Sequence, residues 1–470
     1  MELTQRKIGK KGMEQIVIVG NGVAGITAAR WLRKLGDAKI YVISSESAYF
    51  FSRTALMYVY MGHMLWKDIE PYPRDFYSKN RIDLLHTKVQ SIDFQSKIVL
   101  TEGNKPLAYD RLILATGSKS KSFDFPGNHL KGISSFYYKQ DLEHLNQISD
   151  SIKHAVIVGG GLIGIELAEM FCSRNIPVTM LVRETDYWAH VLPEDEARMI
   201  SRHIQDHKID LQLETRLQAV MGDETGRVNK IITDKGAEIN CNFVALAIGV
   251  VPNIDIVQNT HLECDHGILV NEYLETNIEH VYAIGDCAQL RDPILGRKAT
   301  ETAWYIAKAM GKTLAHHICQ QPTAYQQVLW YNSAKLLDIE YQVYGQVPAQ
   351  IKYPLNSLHL ELPNGRQSIR ITYDHDTKVV KGFLLMGFRF RQDVCERWIL
   401  NKTVLENVVS YIRLAFFEPE FYKGFARRYM KKFNIEFGKS AYLKTRGSFD
   451  SVLKFFKRSK KKESDESEHN

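Results

Sequence analysis

Residues 15–43 read Q-I-V-I-V-G-N-G-V-A-G-I-T-A-A-R-W-L-R-K-L-G-D-A-K-I-Y-V-I. The β-branched run Ile16 to Val19 predicts a short buried strand, and the pattern that follows predicts a helix running to Leu35 and closed by Gly36. A second apolar strand then spans Ile40 to Ile43. Strand and helix are joined by G-x-G-x-x-G, with Gly20 for the tight turn, Gly22 for close backbone approach to a pyrophosphate, and Gly25 for helix–strand packing. The helix start, at Val23 and Ala24, offers backbone N–H groups and the positive dipole end to phosphates. An acid is needed just past the second strand to bind ribose hydroxyls, and Glu46 stands there.

The pattern recurs from Ala155 to Arg183. A strand A-V-I-V precedes Gly159, Gly161 and Gly164, a helix opens at Leu162 and Ile163, and a strand ends at Val182. Two such units predict two dinucleotides bound to one chain. In the second unit the strand ends on Arg183 rather than an acid. Loss of the acid with gain of a cation favours a 2′-phosphate, hence NADPH over NADH, although Glu184 next door keeps a ribose contact open.

Further segments follow in order: Y-D-R-L-I-L-A-T-G-S (Tyr109–Ser118), A-I-G-V-V-P-N (Ala247–Asn253) and T-N-I-E-H-V-Y-A-I-G-D (Thr276–Asp286). Together with the two glycine units, they resemble the FAD-dependent pyridine nucleotide oxidoreductases, the family of ferredoxin and rubredoxin reductases, apoptosis-inducing factor and the disulfide reductases. The resemblance covers residues 13–320. It implies an α/β fold with two Rossmann-like dinucleotide-binding domains and a C-terminal α/β interface domain. FAD would be held by residues 13–122 and 245–320, NAD(P) by 123–244, and the third domain would occupy 321–433, with 434–470 a basic, disordered tail. It also implies FAD contacts at Val89, Ala115, Thr116, Gly117, Gly249, Gly285 and Asp286, the last on the ribityl chain. E-S-A-Y-F-F-S-R-T-A-L (Glu46–Leu56) is similar to a segment of the ferredoxin reductase-like branch and puts Arg53 near the flavin or its pyrophosphate. Thr54 replaces that branch's Pro, and Tyr58 its frequent Lys, so a Lys role does not carry over. Glu166 matches the family's Glu beside the nicotinamide. A helix beginning near Trp304 would aim its N-terminus at the flavin.

A disulfide reductase relays electrons through two thiols beside the flavin. The stretch that carries them in the family, Ala48 to Met64, has no cysteine here. The six cysteines are scattered without C-x-x-C, which predicts reduced thiols, and Cys287 reads as a packing residue. His316 and His317 beside Cys319 lack a completing cluster, so no metal site is expected.

The sequence has no apolar run of membrane-spanning length and no apolar stretch within Met1–Gly12, so a cytoplasmic protein is expected. The net charge of +7 comes from the C-terminal end: between Phe421 and Lys462 stand fourteen Lys and Arg against only Glu436 and Asp450. Thr403–Glu406 reads as a capping box opening a helix with Leu405, Val408, Val409, Ile412 and Phe416 on one face. A second helix would set Phe421, Phe425, Tyr429 and Phe433 against Lys423, Arg427, Arg428, Lys431 and Lys432. Its apolar face reads either as core packing or as a membrane-surface stripe. The expected function is an NAD(P)H-dependent flavoprotein reductase passing electrons to an external carrier, with a small acidic carrier protein as partner. The alternatives are a membrane-surface NAD(P)H:quinone reductase, peripheral to the inner face of the membrane, and a slow redox-sensing flavoprotein. A homodimer fits the third domain, and nucleic-acid binding is not motivated.

Overall fold

The structure, a computed structural model, describes residues 13–444 apart from 321, 419 and 421. The readings made on Met1–Gly12, Phe421, and the end of the chain from Phe449 onward lie outside the described residues. The chain forms two compact units, residues 1–183 with 209–328 and residues 184–208 with 329–470.

The first unit holds two sheets of one design. β1 (Gln15–Val19), α1 (Val23–Leu35), β2 (Lys39–Ser44), β3 (Ile82–His86) and β4 (Arg111–Leu114) build the first. Its strand order is Val281–Ala283, β4, β1, β2, β3, all parallel. The second contains β5 (Ile133–Ser135), β6 (Ala155–Val158), α2 (Leu162–Ser173) and β7 (Val178–Leu181). Beyond β7 the chain makes α3 (Glu194–Asp206), returns as β8 (Asp210–Gln212) and closes the sheet with β9 (Phe243–Leu246). The order here is β5, β9, β6, β7, β8, again parallel. In both sheets the glycine-bearing strand sits centrally between its βαβ partner and the later return strand. Parallel strands covered on both faces must be apolar throughout, and Ile16, Val17, Ile18, Ala155, Val156 and Ile157 are fully buried.

α4 (Trp304–Cys319) packs on α1 at close range. A Cβ on Gly311 would stand 2.6 Å from the Ala24 carbonyl oxygen, so glycine there sets the helix separation. The sheets are joined where Ser118–Ser120 pairs antiparallel with Val250–Pro252.

The second unit is built on an antiparallel sheet of β10 (Tyr331–Leu336), β11 (Ile339–Gly345), β12 (Leu355–Glu361), β13 (Ser368–Asp374) and β14 (Val380–Met386), in the order β10, β11, β14, β13, β12. Ile369, Ile371 and Tyr373 on β13 join an aromatic-rich core. α5 (Gln392–Leu400), α6 (Leu405–Ser410) and α7 (Lys423–Phe437) complete it.

Three sequence expectations are corrected here. Residues 184–208, read as part of the nucleotide domain, pack with the second unit. Their anchor is Glu196 of α3, fully buried and accepting from Arg370 Nε at 2.9 and 3.1 Å, while Arg370 Nη2 reaches Asp195 at 2.6 Å. Alternation along β13 turns Arg370 away from the face that Ile369 and Ile371 bury, which frees it to meet α3. The capping box does not form. Val404 is the N-cap of α6 without a side-chain cap, because residues 403–404 bridge Val379 instead: Val380 N donates to Thr403 O, and Leu405 N to Lys378 O. The helix also ends at Ser410, before a separate 3-10 turn at Ile412–Leu414. Finally, residue 433 is not the end of ordered structure. Phe437 continues the i+4 stripe of Phe425, Tyr429 and Phe433, and Ala441 and Leu443 also pack on the core. That stripe is buried inside the unit, so the apolar face considered for a membrane surface is occupied. What α7 presents outward is Arg427, Arg428 and Lys431.

Candidate active site

Both glycine turns show why these residues are glycine. Gly20 has φ +117°, and a Cβ there would stand 2.0 Å from the Ala115 carbonyl oxygen of the return strand. A Cβ on Gly25 would stand 2.0 Å from Gly20 O. Gly22, between them, has nothing within 4 Å of its Cβ position and is the N-cap of α1. The bare space lies where a helix N-terminus without an acid in its first turn presents its positive pole, so a pyrophosphate fits there. The second turn repeats the geometry: Gly159 at φ +128° abuts Ala247 O, Gly164 abuts Gly159 O, and Gly161 is open above α2.

Around the first turn the predicted FAD residues converge. Glu46, past β2, takes Arg53 in a bidentate pair, Nη1–Oε1 at 2.9 Å and Nη2–Oε2 at 2.5 Å, and its Oε1 also accepts from Lys139 N at 2.9 Å. The Arg53 guanidinium lies 4.4 Å from the Tyr137 ring centroid, and its Nη1 donates to Tyr137 O. Cation–π contact and ion pair together fix Arg53 as a planar donor. Asp286, in the turn after Val281–Ala283, receives the Ser118 hydroxyl at 2.9 Å. Burial raises its carboxyl pKa against the opposing pull of Ser118 and Arg53. Ser118 takes Oδ2 alone, and a carboxylate's remaining lone pairs can accept from hydroxyl donors such as a ribityl chain. Gly285 at φ +75° carries this turn close to α1, and a Cβ there would stand 2.8 Å from Ala24 Cβ.

Thr116 donates to Asn253 O at 2.6 Å, and Asn253 N donates to Gly117 O at 2.8 Å. These bonds lock the two return segments together. Gly117 and Gly249 have positive φ with open space beside them. Ala115 is buried beneath Gly20, whereas Val89 begins a small antiparallel sheet with Ile98–Thr101 and Lys105–Ala108. Trp304 is the first residue of α4 and packs on Phe50 with centroids 5.8 Å apart. With no acid in its first turn, α4 keeps a positive N-terminal end.

In the nucleotide half, Leu162 and Ile163 form the first turn of α2 and Glu166 lies one turn further on. Burial, with the Glu169 carboxylate adding to it, pushes the Glu166 carboxyl up to about 7. Arg183 is exposed just beyond β7.

Sequence reasoning missed Tyr137, Ser118 and Asn253. Tyr137 is a half-buried phenol pushed up to about 12 by desolvation, under Arg53 and beside Ser118. The aromatic triplet Phe136–Tyr138 was its only signal. All six cysteines are free. Cys287 is buried, with its thiol against Leu114 O and Ile284 O, a packing role.

The sequence profile described as pyridine nucleotide-disulphide oxidoreductase matches residues 14–311. The rubredoxin-NAD(+) reductase of Ectopseudomonas oleovorans is 29% identical over 311 residues, which is 66% of this chain and 80% of that protein. The rhodocoxin reductase of Rhodococcus erythropolis is 30% identical over 321 residues, 67% of this chain and 74% of that one. Among solved structures, a ferredoxin reductase from Rhodopseudomonas palustris superposes with a TM-score of 0.73 at 21% identity, covering 80% of this chain and 91% of its own. With two open glycine cradles in duplicate sheets and the profile spanning both, the chain belongs to the pyridine nucleotide-disulphide oxidoreductase family, as an FAD-dependent, NAD(P)H-using oxidoreductase.

Proposed function

We propose that the protein is a reductase that passes electrons from NADPH, through FAD, directly to a small one-electron carrier protein of acidic surface. One observation carries this reading: the segment from Ala48 to Met64 holds no thiol, and Cys287 is sealed among backbone carbonyls. Without a dithiol, electrons would pass from the flavin directly to the external acceptor. Curated relatives named for rubredoxin and rhodocoxin reduction support the class of acceptor.

When bound, the cofactors supply hydride transfer from the nicotinamide to the flavin and electron release from it. The chain's own residues supply geometry and field. The α1 and α2 N-termini orient the two pyrophosphates. Arg53, held by Glu46 and Tyr137, binds on the FAD side, and Asp286 accepts from ribityl hydroxyls. The positive end of α4 stabilises negative charge that develops on the flavin. Glu166 flanks the nicotinamide, and Arg183, exposed at the strand end, receives a 2′-phosphate. The outward cations Arg427, Arg428 and Lys431 raise the encounter rate with an acidic carrier.

The test is anaerobic titration of the flavoprotein with NADPH and with NADH, followed by reoxidation with a rubredoxin, a [2Fe–2S] ferredoxin or a disulfide. Rapid reoxidation by a carrier, with NADPH preferred, is the expected result. Arg183→Glu should move the NADPH:NADH ratio of kcat/KM toward NADH by about tenfold, which is about 1.4 kcal/mol. Reoxidation by the disulfide alone would refute the direct route.

A further inference from the structure

The second unit contains a three-residue cluster with no part in the flavin chemistry. His203 and His207 lie one turn apart at the C-terminal end of α3, where His207 is the C-cap. They face Asp338, at the tip of the tight β10–β11 hairpin, whose last pair is Leu336 and Ile339. Leu337 beside it is buried with φ +57°, a left-handed conformation unfavourable for a branched side chain, so the surroundings hold the tip in place. Asp338 Oδ1 meets His203 Nε2 directly and stands 3.5 Å from His207 Nε2. One donor atom from each residue lies within 4.8 Å of the others.

The hydrogen bonds leave Nε2 of each histidine turned to Asp338. His207 Nδ1 is 2.9 Å from His203 O, a carbonyl that only accepts, so Nδ1 carries the hydrogen and Nε2 is the atom available to a ligand. The His207–carbonyl bond is also the kind of outer contact that fixes a metal-bound imidazole. His203, only 1% exposed, has no partner on Nδ1, so its Nε2 end alone sets the ring's direction. The dipole of α3 places its negative end here as well.

A second cluster on the same helix shows the contrast. Asp195, Glu196 and His359 also converge, but the Arg370 guanidinium already sits among them. At Asp338, among the described residues, the Arg366 guanidinium reaches Oδ2 at 3.3 Å and leaves Oδ1 to the histidines.

We propose that His203, His207 and Asp338 bind one divalent transition-metal ion of the zinc class, with water completing a tetrahedral shell on the solvent side. The ion clamps the end of the 184–208 excursion to the first hairpin of the second unit. Binding at His203 Nε2 replaces the direct contact with Asp338 Oδ1 and leaves the neutral ring's one hydrogen on Nδ1.

The experiment uses full-length, FAD-loaded protein stripped with chelator and titrated calorimetrically with Zn2+, then with Mg2+. One Zn2+ per chain with micromolar affinity, a raised melting temperature and no Mg2+ uptake are expected. His207→Ala and Asp338→Asn, both at partly exposed positions, should each weaken Zn2+ binding at least tenfold, and His207→Cys should restore it. His375→Ala, a histidine outside the cluster, should leave the isotherm unchanged. Flavin bleaching by NADPH reports that each variant is folded and is independent of the clamp. A wild-type isotherm in His207→Ala, or no saturable Zn2+ uptake, would overturn the proposal.

Discussion

The two glycine turns are nearly the same object built twice, and they differ at the next residue to matter. In each, a positive-φ glycine abuts the return strand, a second glycine leaves open space, and a third touches the first. After the first turn the chain supplies Glu46, tied to Arg53. After the second it supplies Arg183, exposed. In the function proposed above, the backbone builds a place for any pyrophosphate, and the side chain past the second strand selects the rest of the nucleotide.

The sharpest way to break the parallel is at the glycines. Gly20→Ala puts a Cβ on a carbonyl at 2.0 Å with unfavourable φ and should cost more than about 3 kcal/mol, so little flavin-loaded protein is recovered. Gly159→Ala should instead give yellow protein whose flavin NAD(P)H no longer bleaches. Gly22→Ala, with nothing within 4 Å, should fold normally yet lose FAD on dialysis. Equal yields of folded protein from Gly20→Ala and Gly22→Ala would contradict the division of roles.

A smaller effect is expected at Arg53→Ala. It removes the partner of Glu46, whose side chain is 16% exposed, and leaves that carboxylate with only the Lys139 N–H and the gap at the FAD site. A loss of about 2 kcal/mol in FAD binding, roughly thirtyfold, should appear in fluorescence titration of the apoprotein. Arg183 stands beside the second glycine turn, just beyond β7, so Arg183→Ala should leave FAD affinity untouched.

The smallest effect concerns pH at Glu166. Its carboxyl is raised to about 7, so in the folded protein it holds its proton up to neutrality, whereas unfolded it ionises near the ordinary value. The unfolded state thus binds fewer protons between those values, and stability falls as pH rises toward 7. Glu166→Gln should flatten that slope and remove an inflection near pH 7 from stopped-flow flavin reduction. Persistence of the inflection would assign it elsewhere.

The parts legible in the sequence were those whose constraint is local. A turn at φ +117° and a short parallel strand both write themselves into neighbouring residues, so Gly20, Gly159, A-T-G and G-D could be read directly. Ser118 and Asp286 are 168 residues apart, and Tyr137 reaches Arg53 across 84, so neither pairing leaves a periodic trace. The capping box at Thr403 failed for the same reason. Its backbone was claimed by Val379, and no propensity at 403–406 records that. Likewise, the amphipathic pattern of α3 says that it covers a sheet but not which one.

Glu196 and Arg370 are separated by 174 residues of chain. During synthesis α3 therefore emerges long before the strand that neutralises its buried acid. Until then, α3 must wait with that face in water, while the sheet on either side of the excursion can already assemble. Cutting the gene near residue 328 is consequently not a clean excision of the last domain. It would strand a helix whose buried first-turn carboxylate was shaped for a cation that the shortened chain never makes.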